Sequence, residues 1–145
     1  MAEITIAYCS SHAPMIAAGA DSAPEQQREL FGAALGEAIR SYDGLDRVAV
    51  VGAGGLSHFI GEPRVGDIDE QFDRWFLDQL ERGQLDAMLD MPDEEIELAG
   101  NGAHEIRSWV AVAGTVAPAR GRTLAYEPIY PWITGMGVSH FQLTS

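Results

Sequence analysis

Lysine is absent from this 145-residue chain, and cysteine occurs once, at Cys9. A lone cysteine makes no internal disulfide, and without a cysteine pair there is no cysteine-based structural zinc site. Basic residues are scarce altogether: nine arginines face 22 Asp and Glu, for a net charge of −13. So acidic a surface repels phosphate backbones and anionic leaflets, so neither nucleic acid nor membrane is an expected partner. Long apolar runs are missing too. No stretch approaches the ~18 residues of a membrane span, and the first fifteen residues lack the basic start and apolar run of a signal peptide. The expectation is a soluble, cytoplasmic protein.

What is present suits a single domain over residues 1–145. Hydrophobic residues make up 46% and charged residues 21%, ordinary for a globular protein. A chain of this size buries roughly 68–70% of its unfolded surface, enough for a core without staples.

Residues 3–9, EITIAYC, alternate β-prone side chains and predict a strand. Residues 10–24 are rich in Ser, Pro and Gly and predict a loop. A helix is expected from Ser22 or Pro24 to just before Asp43-Gly44, with Leu30, Phe31, Ala34, Leu35, Ala38 and Ile39 on its apolar face. The apolar run 47–53, RVAVVGA, predicts a strand buried on both faces. Strand, helix, strand implies a right-handed crossover and a parallel pair. The sequence therefore points to an α/β fold, a mostly parallel sheet with flanking helices. Residues 54–67 hold four glycines and a proline and predict irregular chain. Helical pattern resumes at 68–82, with Ile68, Phe72, Trp75, Phe76 and Leu80 on one face, and shorter helical pieces follow over 84–98. A further helix is predicted over 102–113, with Asn101 as N-cap and Ile106, Trp109, Val110 and Ala113 inward. Beyond Gly114 the chain reads as mostly extended or loop.

Gly52-Ala53-Gly54-Gly55 after a strand invites a dinucleotide-binding reading. That site needs a helix starting there, with its amides facing the pyrophosphate. Gly61, Pro63 and Gly66 would break such a helix. The glycines instead let backbone approach a ligand closely and present His58 from the end of a buried strand.

A single histidine is most often a core imidazole bonded to backbone. His12 and His58 stand out because each follows a predicted strand, and parallel neighbours bring both loops to one carboxyl edge, where α/β sheets place ligands. Glu105 precedes Trp109 by four residues, which turns its carboxylate along an apolar side. A solvated first-turn acid is the bland alternative. His104 lies about 100° around the helix from Glu105, towards the outer face. Histidine with carboxylate is the start of a 2-His-1-carboxylate set, which leaves positions on Fe(II) open for substrate and oxygen.

Val50–His58, Pro63–Gly66 and Phe72–Leu77, followed by Ala99–Trp109 and Ala113-Gly114, resemble the class III extradiol ring-cleavage dioxygenases, relatives of the protocatechuate 4,5-dioxygenase β subunit. Ser10-Ser11-His12-Ala13-Pro14 resembles that family's opening motif, and order and spacing agree over nearly the whole chain. The resemblance implies a reduced version of the class III fold and cleavage of a catechol-type ring next to the diol, with non-haem Fe(II) and O₂. It implies that His12 and Glu105 are iron ligands and that His58 is the acid/base histidine. A non-ligating imidazole suits that task, since its unperturbed pKa of ~6.5 lets it exchange protons near neutrality. Family members are longer, and carry between the first two motifs a central region with several strands and a second iron-binding histidine. Here one helix joins the motifs, and no histidine lies between His12 and His58. His140, His104, His58 itself or another subunit could supply the missing ligand. The alternative function is a shortened, non-catalytic family member that binds an aromatic ligand or a partner subunit. Loss of part of a sheet exposes strand edges, so a homo-oligomer or association with another subunit is expected. Arg64 and Arg107 lie in the motif regions and make a carboxylate-bearing catechol reasonable; ion-paired arginines are the commoner case.

Overall fold

The computed structural model describes residues 3–9, 25–44 and 47–141, with side chains over 31–44 and 48–141. His12 and its motif lie outside the described residues. Strands β1 (Glu3–Cys9) and β2 (Arg47–Ala53) pair in parallel, from Glu3 opposite Arg47 to Cys9 opposite Ala53. Helix α1 (Glu25–Ser41) lies between them in sequence. The expected strand–helix–strand unit is therefore present, and the carboxyl ends of its strands coincide.

Helix α2 (Glu70–Arg82) starts at an Asp69 side chain that accepts the Phe72 N–H at 2.9 Å, and it ends at Gly83, whose left-handed φ of 68° suits glycine. Two short helices, α3 (Leu85–Leu89) and α4 (Asp93–Leu98), follow. A 3₁₀ turn, Asn101–Glu105, then leads into α5 (Ile106–Val116). Asn101 is not the N-cap expected from sequence. It opens the 3₁₀ turn, and its side-chain amide brackets the Ile60 backbone, accepting N–H at 2.8 Å and donating to C=O at 2.9 Å.

The C-terminal region, read from sequence as mostly extended or loop, is extended and pairs as a second sheet. Strands β3 (Gly121–Ile129) and β4 (Thr134–Phe141) are antiparallel, joined by a 3₁₀ turn at Tyr130–Trp132. Pro128 and Pro131 hid the alternation. The described strands thus form one parallel and one antiparallel pair, so the architecture is mixed α/β and the single, mostly parallel sheet is corrected.

The core is built from α2, α4 and α5 around the β2 exit loop. Leu56, Phe76, Leu80 and Ile96 are almost fully buried, with Phe76 edge-on to Trp109 at 6.2 Å. Helix α1 packs differently from its expected apolar face. Phe31, Ala34 and Ala38 are exposed, Leu35 and Ile39 are half-buried, and among the described side chains of this helix the buried positions are Gly32 and Gly36, Leu30 lying outside them. These glycines sit against the Ala111 and Thr115 carbonyls of α5, so a Cβ on either would overlap that backbone. Four-residue spacing of two glycines lets the helices approach more closely than side chains would allow. A groove of about 910 Å³, lined by residues including Ile39, Val50, Val112 and Val138, separates β2 from β4 and does not include His58 or Glu105. Among the described residues, no helix is long and apolar enough to cross a membrane.

Candidate active site

No helix follows the glycines after β2: residues 54–69 are irregular until α2 begins. The chain instead crosses the start of α5. Trp109 donates its indole N–H to the Gly54 carbonyl at 3.1 Å, and the Ser108 hydroxyl stands between the carbonyls of Ala53 (3.0 Å) and Glu105 (2.9 Å). A Cβ on Gly54 would come within 2.8 Å of the Glu105 Cβ. This close approach brings Glu105 to the loop, where its Oε2 accepts the Gly55 N–H at 2.6 Å. The half-buried carboxylate is therefore turned towards the glycine loop, a contact its place on an apolar side near Trp109 did not foretell. Among the described residues, its Oε1 accepts no hydrogen bond.

The next three residues are held at nearly every polar atom. Leu56 N–H donates to Gly135 C=O and Gly135 N–H donates to Ser57 C=O, both at 3.0 Å. Ser57 N–H donates to Asp73 Oδ1 at 2.7 Å, and the Ser57 hydroxyl accepts Asp69 N–H at 2.8 Å. His58 C=O accepts Gly102 N–H at 3.1 Å. His58 is only 8% exposed, with its ring against Gly102, where a Cβ would overlap the imidazole. Its Nδ1 lies 2.7 Å from the Leu56 carbonyl. A carbonyl only accepts, so neutral His58 carries its proton on Nδ1 and a lone pair on Nε2. Among the described residues, Nε2 has no hydrogen-bond partner.

Asp73 is fully buried on α2, and its Oδ2 accepts the Tyr126 hydroxyl at 2.8 Å. Burial pushes the Asp73 carboxyl above its usual range, against the opposing pull of the Ser57 and Tyr126 hydrogen bonds. Burial, then the bond to Asp73, pushes the Tyr126 phenol up. Sequence reasoning gave Asp73 no role. The signal was an acid at i of the buried stripe Phe76, Leu77 and Leu80, at i+3, i+4 and i+7.

The structure brings His58 and Glu105 together around Gly55 and leaves His104 and His140 elsewhere. His104 is half-buried, with Nε2 3.8 Å from Glu97 of α4. His140 is exposed on β4 opposite Arg122. Thr134, at the other end of that strand, is the residue beside Gly55, and six residues of strand span about 20 Å. Arg64 pairs with Asp67 at 3.0 Å while lying over Phe59, and Arg107 pairs with Asp93 at 2.6 Å. Both arginines follow the ion-paired pattern. Among the described residues, no three metal-binding side chains cluster. Glu105, with one oxygen anchored and the other unbonded among the described residues, has the chemistry of a single carboxylate ligand.

The family described as the catalytic LigB subunit of aromatic ring-opening dioxygenase matches residues 12–137. The chain belongs to this LigB family. A 2,3-dihydroxyphenylpropionate/2,3-dihydroxicinnamic acid 1,2-dioxygenase of Paraburkholderia xenovorans is 38% identical over 84 residues, covering 55% of this chain and 27% of that protein. The protein of the same name from Xanthobacter autotrophicus is 42% identical over 76 residues, covering 49% and 24%. That from Cupriavidus necator is 35% identical over 92 residues, covering 61% and 29%. The chain thus matches about a quarter of the length of these relatives.

Proposed function

We propose that this chain acts in a non-haem Fe(II)-dependent extradiol dioxygenase that opens a catechol-type ring with O₂. The observation that carries the reading is the pairing around Gly55: a buried imidazole held at Nδ1, beside a carboxylate held at one oxygen, with the His58 Nε2 and the second Glu105 oxygen unbonded among the described residues, in a chain of the LigB family. Glu105 and His12 would hold the iron, and a third ligand would come from a residue outside the described segments or from another subunit. When bound, Fe(II) would bring the ring oxygens and O₂ onto one centre.

The work of the described residues is proton handling and positioning. His58 Nε2 takes a catechol proton, and the Leu56 carbonyl, bonded to Nδ1–H, shares the positive charge that develops on the ring. Gly102 leaves room for that ring, and the Gly55 N–H holds the Glu105 carboxylate in one orientation. A dihydroxyphenylpropionate-type substrate is proposed from the names of the relatives.

The test is oxygen uptake by the Fe(II)-reconstituted chain with 2,3-dihydroxyphenylpropionate. One O₂ consumed per ring-opened product, dependent on iron, supports the reading. The distance of His140 from Glu105 favours a second reading, a family member that binds an aromatic ligand or partner subunit without turnover. Substrate binding without oxygen uptake would favour it.

A further inference from the structure

We propose that Asp73 is a positioning residue for His58, acting through the one peptide group that joins Leu56 to Ser57. That group has two partners. Its N–H, on Ser57, donates to Asp73 Oδ1 at 2.7 Å, and its C=O, on Leu56, receives His58 Nδ1–H at 2.7 Å. The other bonds of the loop hold different peptide groups. Leu56 N–H belongs to the Gly55–Leu56 peptide, and Ser57 C=O to the Ser57–His58 peptide.

A trans peptide is rigid, with N–H and C=O pointing in opposite directions. Fixing where the Ser57 N–H points therefore fixes where the Leu56 carbonyl points. That carbonyl selects the proton-on-Nδ1 form of His58 and leaves Nε2 as the lone pair. The bond that Ser57 N–H donates to the carboxylate is charge-assisted, and it polarises the peptide so that the carbonyl is a better acceptor. The result is a carboxylate–peptide–imidazole chain.

The surroundings are shaped for a carboxylate at this place. Asp73 has 0% exposure, and Tyr126 donates to its second oxygen. Gly135, on β4, lies against Oδ2 so closely that a Cβ would overlap it. A fold staple alone does not call for a buried charge, since burial of a carboxylate is costly and apolar replacements are commonly neutral or better. The inference rests on the reading of His58 as the proton-handling group, and its first test does not require turnover.

The test uses the full, metal-free, ¹⁵N-labelled chain at about pH 8.5, where unperturbed imidazoles are neutral. Long-range ¹H–¹⁵N correlations identify which His58 nitrogen carries the proton. The wild type should show His58 wholly as Nδ1–H. Asp73→Asn keeps an acceptor for Ser57 N–H and should keep that form. Asp73→Ala should make the Nε2–H form appear as the major species, and Tyr126→Phe, which leaves the Ser57 bond in place, should not. A wild type with the proton on Nε2, or a folded Asp73→Ala chain still wholly Nδ1–H, would overturn the proposal. Should Asp73→Ala fail to fold, Asp73→Asn decides. The Ser57 amide proton and the His58 Nδ1 proton should both move upfield as the charge is lost, and movement of the first without the second overturns the relay. In the iron-loaded enzyme, Asp73→Ala should lower kcat by about tenfold or more, up to the 10²–10⁴-fold that the whole acid–base contribution supplies, with KM little changed and Asp73→Asn largely restoring kcat. Correct tautomers with no ring cleavage in any variant would contradict the dioxygenase reading and leave the relay standing.

Discussion

Glu105 and His58 meet at Gly55: the carboxylate accepts the Gly55 N–H at 2.6 Å, and a Cβ on that glycine would lie 3.1 Å from the His58 Cε1. The two groups come from segments 47 residues apart, and the glycine between them is what allows both to approach. This contact unites the loop after β2 with the turn before α5.

Removing the imidazole should separate chemistry from metal binding. His58→Ala is expected to reduce ring cleavage by about 10²–10⁴-fold, the contribution typical of a general acid–base group. Fe(II) bound per chain should stay the same, as measured by metal analysis after anaerobic reconstitution. Iron lost along with activity would show that His58 is a ligand.

Space for the ring can be removed without touching it. Gly102→Ala places a Cβ in the His58 imidazole, so the ring must move or the 3₁₀ turn must shift. Overpacking of this kind costs about 1–3 kcal/mol, readable from urea unfolding. Ring cleavage should fall alongside. Unchanged stability and activity would show that the ring does not lie against Gly102.

The α1–α5 contact gives a prediction away from the site. Gly36→Ala drives a Cβ into the Thr115 carbonyl, so the helices must separate. A loss of about 1–3 kcal/mol is expected, again from urea unfolding. A variant as stable as the parent would contradict this packing, because alanine otherwise favours a helix over glycine.

The pH dependence follows from Asp73. Its carboxyl is raised above the ordinary value of 3.8, chiefly by burial, so the folded chain holds this proton to a higher pH than the unfolded chain does. Its stabilising contribution is therefore full below the unfolded value and is lost as pH rises through the folded one. Urea midpoints of the parent and of Asp73→Asn, compared between about pH 3 and 7, isolate this group because the other acids are common to both. The parent should lose stability relative to the variant as pH rises. A relative gain would mean that hydrogen bonding to the carboxylate outweighs its burial.

The sequence made the parallel β1–β2 pair, α1, α2 and the glycine-rich exit loop legible, because each follows one local period or one cluster of helix breakers. The half-buried position of Glu105 was legible from its place four residues before Trp109, whereas a ligand role came only from the family resemblance. The hairpin was not, since Pro128 and Pro131 interrupt its alternation and pairing across Tyr130–Trp132 is set by tertiary contact. The contact face of α1 was misread for a related reason. Periodicity rewards large apolar side chains, whereas α1 docks through Gly32 and Gly36, which have none. Asp73 was hidden because an acid on an apolar stripe looks like an interruption until Ser57 and Tyr126 are seen to meet it.

The most direct test of the account is anaerobic titration of the full chain with Fe(II), followed by metal analysis of the parent, Glu105→Ala, His12→Ala and His140→Ala. One iron per chain is expected in the parent and in His140→Ala. In Glu105→Ala and His12→Ala, affinity should fall by more than the 10–100-fold typical of residues that merely support a metal ligand. Iron retained at parental affinity in Glu105→Ala, or no specific iron in the parent, would contradict it.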